Sequence, residues 1–133
     1  MTREELIEEA FKAMENSYAP YSNYHVGSAL LTKDQQIFWG VNIENASFGA
    51  TNCAERSAIF AAYSKGYHKE DIEAIAIVSD GDRIAAPCGI CRQVLSELLE
   101  RDTPIYLSNR KEELDITIAK LLPYHFSKED VLR

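Results

Sequence analysis

A chain of 133 residues can bury one hydrophobic core, and its 46% hydrophobic and 26% charged residues exclude the compositions of disordered and fibrous chains. Fourteen basic against twenty-one acidic residues leave a net charge of −7, which argues against a nucleic-acid partner, because that binding needs clustered Lys and Arg. No stretch approaches the roughly 20 apolar residues that span a bilayer, so no membrane partner is expected either.

Thr2 and Glu5 are spaced as a capping box, and Leu6, Ile7, Ala10, Phe11, Ala13 and Met14 follow at helical spacing. They predict a helix to about Asn16. Its acidic, amphipathic start is not a basic stub ahead of an apolar run, so a cytoplasmic protein is expected. Residues 17–23 carry turn residues and aromatics and read as an ordered loop. Residues 24–31 and 37–43 read as two strands of an antiparallel hairpin, joined by the polar residues 32–36 without the usual glycine. Small and polar residues around Phe48 make a loop over 47–52. Residues 53–65 read as an alanine-rich helix closed by Gly66. A strongly apolar strand is expected over 72–78 and another over 105–108, with a helix between them opened by Pro87 and running to about Arg101. A last helical turn near 116–122 precedes a tail from Pro123. There is no internal repeat, low-complexity tract or linker. The order αββαβαβα predicts one α/β domain over residues 1–133, a three-layer α-β-α arrangement with a mixed sheet of about five strands.

Three cysteines cannot all pair within one chain, and in a reducing compartment thiols or metal ligands are expected. Cys88 and Cys91 lie three residues apart at a helix start, so both sulfurs share a face. The helix N-terminus favours their thiolate forms, which are what bind zinc. Cys53 starts the preceding helix, and two helices that follow successive strands bring their starts to one edge of the sheet. Three thiolates meeting there leave a fourth position open, the pattern of a catalytic rather than a structural zinc. Glu55, two residues after Cys53, is placed to take a proton from an acidified water and deliver it to a leaving group. Arg56 would donate hydrogen bonds to the sulfurs and offset part of their negative charge.

Cys53-Ala54-Glu55 with Pro87-Cys88-Gly89-Ile90-Cys91 resembles the Cys-or-His, x, Glu … Pro-Cys-x-x-Cys signature of the zinc nucleobase deaminases. Residues 19–22, Val26-Gly27, Asn42-Ile43-Glu44-Asn45, residues 52–56 and Leu121-Leu122-Pro123 extend the likeness to the short cytidine deaminases of the homotetrameric branch. The resemblance implies one zinc per subunit on Cys53, Cys88 and Cys91, with Glu55 as proton shuttle. It implies hydrolytic deamination of cytidine and deoxycytidine to uridine and deoxyuridine, with release of ammonia. Asn42 and Glu44, at alternate positions of one strand, would hydrogen-bond the ribose. Tyr24 stands where the family usually places a phenylalanine against the pyrimidine, and Ala54 would lend its backbone N–H to the base. Gln93 would assist Arg56 near the sulfurs. Phe126 resembles the C-terminal aromatic that closes a neighbouring subunit's active site, so a homotetramer is implied. Phe48 departs from the tyrosine of many relatives and loses one polar contact.

Taken singly, these residues also have ordinary structural readings. A lone cysteine packs in cores, Glu55 suits any helix start, and Asn42, Glu44, Tyr24 and Phe126 suit strand ends and packing. Cys88-x-x-Cys91 alone would fit a thioredoxin-like redox pair, but Pro104 follows too soon and Cys53 would go unexplained. Two other functions stand beside the nucleoside reading. One is deamination of a related cytosine-bearing molecule such as blasticidin S, against which Glu44 speaks. The other is a non-enzymatic zinc-stabilised binding module, which needs a fourth protein ligand. His25, His68 and His125 lack ligand spacing, and none is assigned to the metal.

Overall fold

The computed structural model describes residues 1–132. Five strands form one sheet in the order β2-β1-β3-β4-β5, comprising β1 (Val26–Thr32), β2 (Ile37–Val41), β3 (Ile72–Ser79), β4 (Ile105–Ser108) and β5 (Glu113–Ile116). Only β3 and β4 run parallel; the other neighbouring pairs are antiparallel, so the sheet is mixed as expected.

Alternation along the strands sorts the residues onto two faces. Leu30, Ile75, Ile77, Ile105 and Leu107 face helices α2 (Ala54–Ser64), α3 (Gly89–Leu98) and α4 (Ile118–Leu121). Ala29, Leu31, Ala74, Ala76 and Val78 face helix α1 (Arg3–Met14), which covers them with Leu6, Ile7, Ala10 and Phe11. Bulky isoleucines on one face and small alanines on the other let α1 lie close to the sheet. At Gly27 an added Cβ would come within 2.2 Å of the Ala10 carbonyl oxygen. The opposite face has its own close approach: a Cβ at Gly40 would meet the Ala54 carbonyl oxygen at 2.2 Å and the Ala58 nitrogen at 2.4 Å. Gly40 therefore lets the first turn of α2 sit directly on the sheet.

Most expected elements appear with small shifts of boundary. Thr2 caps α1, accepting from the Glu5 N–H at 3.1 Å. The glycine-free hairpin turn is closed by Gln35 at φ 68°, while the Thr32 hydroxyl accepts from the Gln36 N–H at 2.9 Å. Pro87 does not open its helix. Cys88 is the extended cap and Gly89 the first helical residue. That helix ends at Leu98, short of Arg101, because Leu99 turns to an extended backbone on the way to Pro104 and β4. The expected final helical turn over 116–122 divides into the end of β5 and the shorter α4. A further short helix, α5 (Lys128–Val131), lies in the expected tail.

Strands β2 and β3 are both antiparallel to β1, so they run in the same direction. Their C-terminal ends lie at one edge, and the chain leaving each end starts a helix on the same face. Those two starts carry the cysteines.

Candidate metal centre and active-site cleft

Cys53 and Cys88 occupy the N-cap positions of α2 and α3, and neither side chain is used to cap its helix. A serine or aspartate there would bond a helix amide; these thiols are left for another partner. Cys91 enters from the first turn of α3 and is fully buried, while Cys53 is half-buried and Cys88 exposed. The Cys53 and Cys88 sulfurs are 3.8 Å apart and those of Cys88 and Cys91 are 3.5 Å apart, all three lying within 4.8 Å of one another. A tetrahedral zinc with sulfurs at about 2.3 Å sets them about 3.8 Å apart, so the donor set fits that ion in chemistry and in spacing.

Two charged groups adjoin the thiols. Arg56 Nη2 donates to Cys53 Sγ at 3.3 Å. Hydrogen bonds from Cys91 and then Arg56 lower the Cys53 thiol pKa well below its usual range, and the same pairing holds the proton on Cys91. A dication takes the place of such shared protons on binding. Glu55 is buried, 4% exposed, and accepts from Cys91 Sγ at 3.0 Å. Burial, above all, pushes its carboxyl up to about 6, with the Cys53 charge adding and the Cys91 hydrogen bond opposing. A carboxyl in that range can both take and give a proton near neutrality. Among the described residues the three thiols form a complete group of mutually close metal-capable side chains without a fourth protein member, as an open catalytic position requires.

A cleft of about 200 Å³ opens beside this centre, lined by Tyr24, Asn42, Cys53, Ala54, Glu55 and Cys88 among the expected residues. Val26, Thr51, Asn52, Ala85 and Ala86 complete it, and none of these stood out as a candidate site residue. Asn52 adjoins a motif residue; the alanines carry no chemical signal in the sequence. Tyr24 lies against Gly81, where an added Cβ would stand 2.7 Å from its ring.

Asn42 and Glu44 lie just beyond the end of β2 rather than within it. Both are buried, with their polar atoms engaged. Glu44 Oε1 accepts from the Tyr21 and Ser22 N–H groups at 3.0 and 3.1 Å, and Oε2 accepts from the Ser22 hydroxyl. These bonds, the hydroxyl's foremost, hold its carboxyl below the usual range. Glu44 is not among the residues lining the cleft.

One residue is placed differently from expectation. Gln93 turns away from the sulfurs: its amide donates to the Phe126 carbonyl oxygen at 2.9 Å, tying the C-terminal segment to α3. Phe126 is 59% exposed and lies in a groove along α3, apart from the cleft of its own chain. Phe48 is also exposed and meets Tyr21 edge to face, with ring centres 6.3 Å apart.

An α-β-α sheet that gathers three thiols and a buried carboxylate at a cleft defines a zinc-dependent enzyme of hydrolytic chemistry. Residues 1–107 match the family described as the cytidine and deoxycytidylate deaminase zinc-binding region. The chain is 52% identical to the cytidine deaminase of Halalkalibacterium halodurans over 132 residues, 98% of each chain. It is 40% identical to a probable cytidine deaminase of Dictyostelium discoideum, over 99% of this chain and 90% of that one. Its fold matches the crystal structure of cytidine deaminase from Burkholderia pseudomallei with a TM-score of 0.92 and 46% identity, covering 95% of this chain and all (100%) of that one. The chain belongs to the cytidine and deoxycytidylate deaminase family. No described helix is long and apolar enough to cross a membrane.

Proposed function

We propose that residues 1–133 form one catalytic domain that deaminates cytidine and deoxycytidine hydrolytically, giving uridine or deoxyuridine and ammonia. The observation that carries this reading is the buried Glu55 carboxyl beside three sulfurs within 4.8 Å of one another at two helix starts. When bound by Cys53, Cys88 and Cys91, zinc supplies the Lewis acidity that makes water an effective nucleophile at neutral pH. Glu55 takes a proton from that water and gives it to the ring nitrogen beside the amine. As the water oxygen bonds to the carbon bearing the amine, Glu55 takes the remaining proton of that added hydroxyl and passes it to the departing nitrogen. The C–N bond breaks, the carbon keeps its oxygen as a carbonyl, and the carboxylate returns to its starting state as ammonia leaves. Arg56 draws negative charge from the Cys53 sulfur. Tyr24 bounds the pyrimidine, the Ala54 N–H meets the base, and Asn42 with Glu44 holds the ribose hydroxyls.

The exposed Phe126 suits a role in a neighbouring subunit's cleft, and the reading includes a cytoplasmic homotetramer of this kind. The tie from Gln93 to the Phe126 carbonyl supports an ordered path for that segment. Sedimentation should then give four times the chain mass.

The test is the fall in ultraviolet absorbance when cytidine is added to zinc-loaded protein, with and without chelator. Deamination abolished by chelator and restored by zinc is expected. Absence of turnover, or turnover indifferent to chelator, contradicts the reading. Blasticidin S in the same assay should compete weakly and turn over more slowly than cytidine.

A further inference from the structure

The Asn42 carboxamide is held on three sides. The Val26 N–H donates to its Oδ1 at 3.0 Å, and its Nδ2 donates to the Tyr24 carbonyl oxygen at 2.8 Å. A peptide N–H only donates and a peptide carbonyl only accepts, so these two backbone groups determine which way the amide faces. The Ser17 hydroxyl has one proton and donates it to the same Oδ1. Ser17 Oγ is then left as an acceptor toward His25 Nδ1, which stands 3.1 Å away. Nδ1 is therefore the donor in this contact, while Nε2 stands 3.3 Å from Asn23 Oδ1. His25 is itself pinned to the end of β3: its N–H donates to Asp80 Oδ1 at 3.0 Å, and the Asp80 N–H donates to its carbonyl at 3.2 Å.

With both lone pairs of Oδ1 engaged and one Nδ2 proton on Tyr24, the carboxamide keeps a single free capacity, its second N–H. Asn42 lines the cleft, whereas neither Ser17 nor His25 does. We propose that Ser17 and His25 are positioning residues for the nucleoside. The chain from His25 Nδ1–H through the Ser17 hydroxyl to Asn42 Oδ1 holds the carboxamide so that its free N–H meets a sugar hydroxyl oxygen. Hydrogen bonds in series polarise one another, so the imidazole makes Ser17 the stronger donor. The inference rests on the nucleoside reading given above.

Its test compares cytidine with 2′,3′-dideoxycytidine, which lacks both ring hydroxyls, in wild type and variants whose zinc content is measured alongside. Ser17→Ala and His25→Leu should each lower kcat/KM for cytidine about tenfold, the effect of one hydrogen bond, while changing dideoxycytidine less than about twofold. His25→Asn, whose amide nitrogen reaches the Nδ1 position, should restore cytidine to within about threefold of wild type. Ser17→Thr, which keeps the hydroxyl, should do the same. Equal losses on both substrates would mark a merely structural role, and unchanged cytidine turnover would mark none; either result overturns the inference. Wild-type protein inactive on cytidine would overturn the deaminase reading as well.

Discussion

Cys53, Cys88 and Cys91 stand at helix starts, whereas Asn42 and Glu44 stand in a loop just past the end of β2. The sulfurs take their places from the paths of two helices packed on one sheet face. The amide and carboxylate take theirs from hydrogen bonds to the 17–26 segment, including three backbone N–H groups and one carbonyl. The thiol side chains leave their own helix amides unbonded and face one another, while Asn42 offers the cleft only what its bonds leave over. Disturbing the first region should therefore cost the metal, and disturbing the second should cost substrate affinity while sparing it.

The largest predicted effect follows from Cys91→Ala, which removes the buried sulfur. Metal analysis should find little zinc, and turnover should fall by about 10³-fold or more. Gly40→Ala tests the same region through packing alone, since its Cβ would stand 2.2 Å from the Ala54 carbonyl oxygen. The start of α2 must shift, so thermal unfolding should show a loss of about 2–3 kcal/mol together with weaker zinc retention. Gly49→Ala, with no atom within 4 Å of its added Cβ, is the neutral control.

On the loop side, Asn42→Ala should keep its zinc and lower kcat/KM for cytidine by about 10–100-fold, chiefly through KM. A variant that lost its metal would break the division between the regions. Glu44→Gln gives the smallest effect, read in stability against pH. Because the folded carboxyl is held below its usual range, the folded state binds this proton less readily than the unfolded chain. The stabilisation is therefore present above the ordinary carboxylate range and is lost as pH falls through it. The Tm difference between wild type and Glu44→Gln should shrink from about pH 5 to pH 3.

The same contrast governs what the sequence made legible. The apolar run that became β3, the hairpin pattern and the Cys spacing are local signals, and each stands where it was expected. Strand β5 is not local in that sense. Glu113, Leu114 and Asp115 are exposed and carry no run of core residues, and the strand is tied to α1 through Arg3, whose guanidinium pairs with Glu113 and Asp115 at 3.0 and 2.7 Å. Gln93 could not be oriented from its place on a helix, because its partner carbonyl lies 33 residues away. Ser17 and His25 show no motif spacing, and only the fold reveals that they meet at Asn42.

Holding the metal and moving the proton fall to different side chains, and Glu55→Gln tests that division most directly. Zinc content and cytidine turnover should be measured on the same preparation. One zinc per chain with turnover reduced by about 10³-fold or more is the predicted result. Turnover within a few-fold of wild type in the zinc-loaded variant would contradict it.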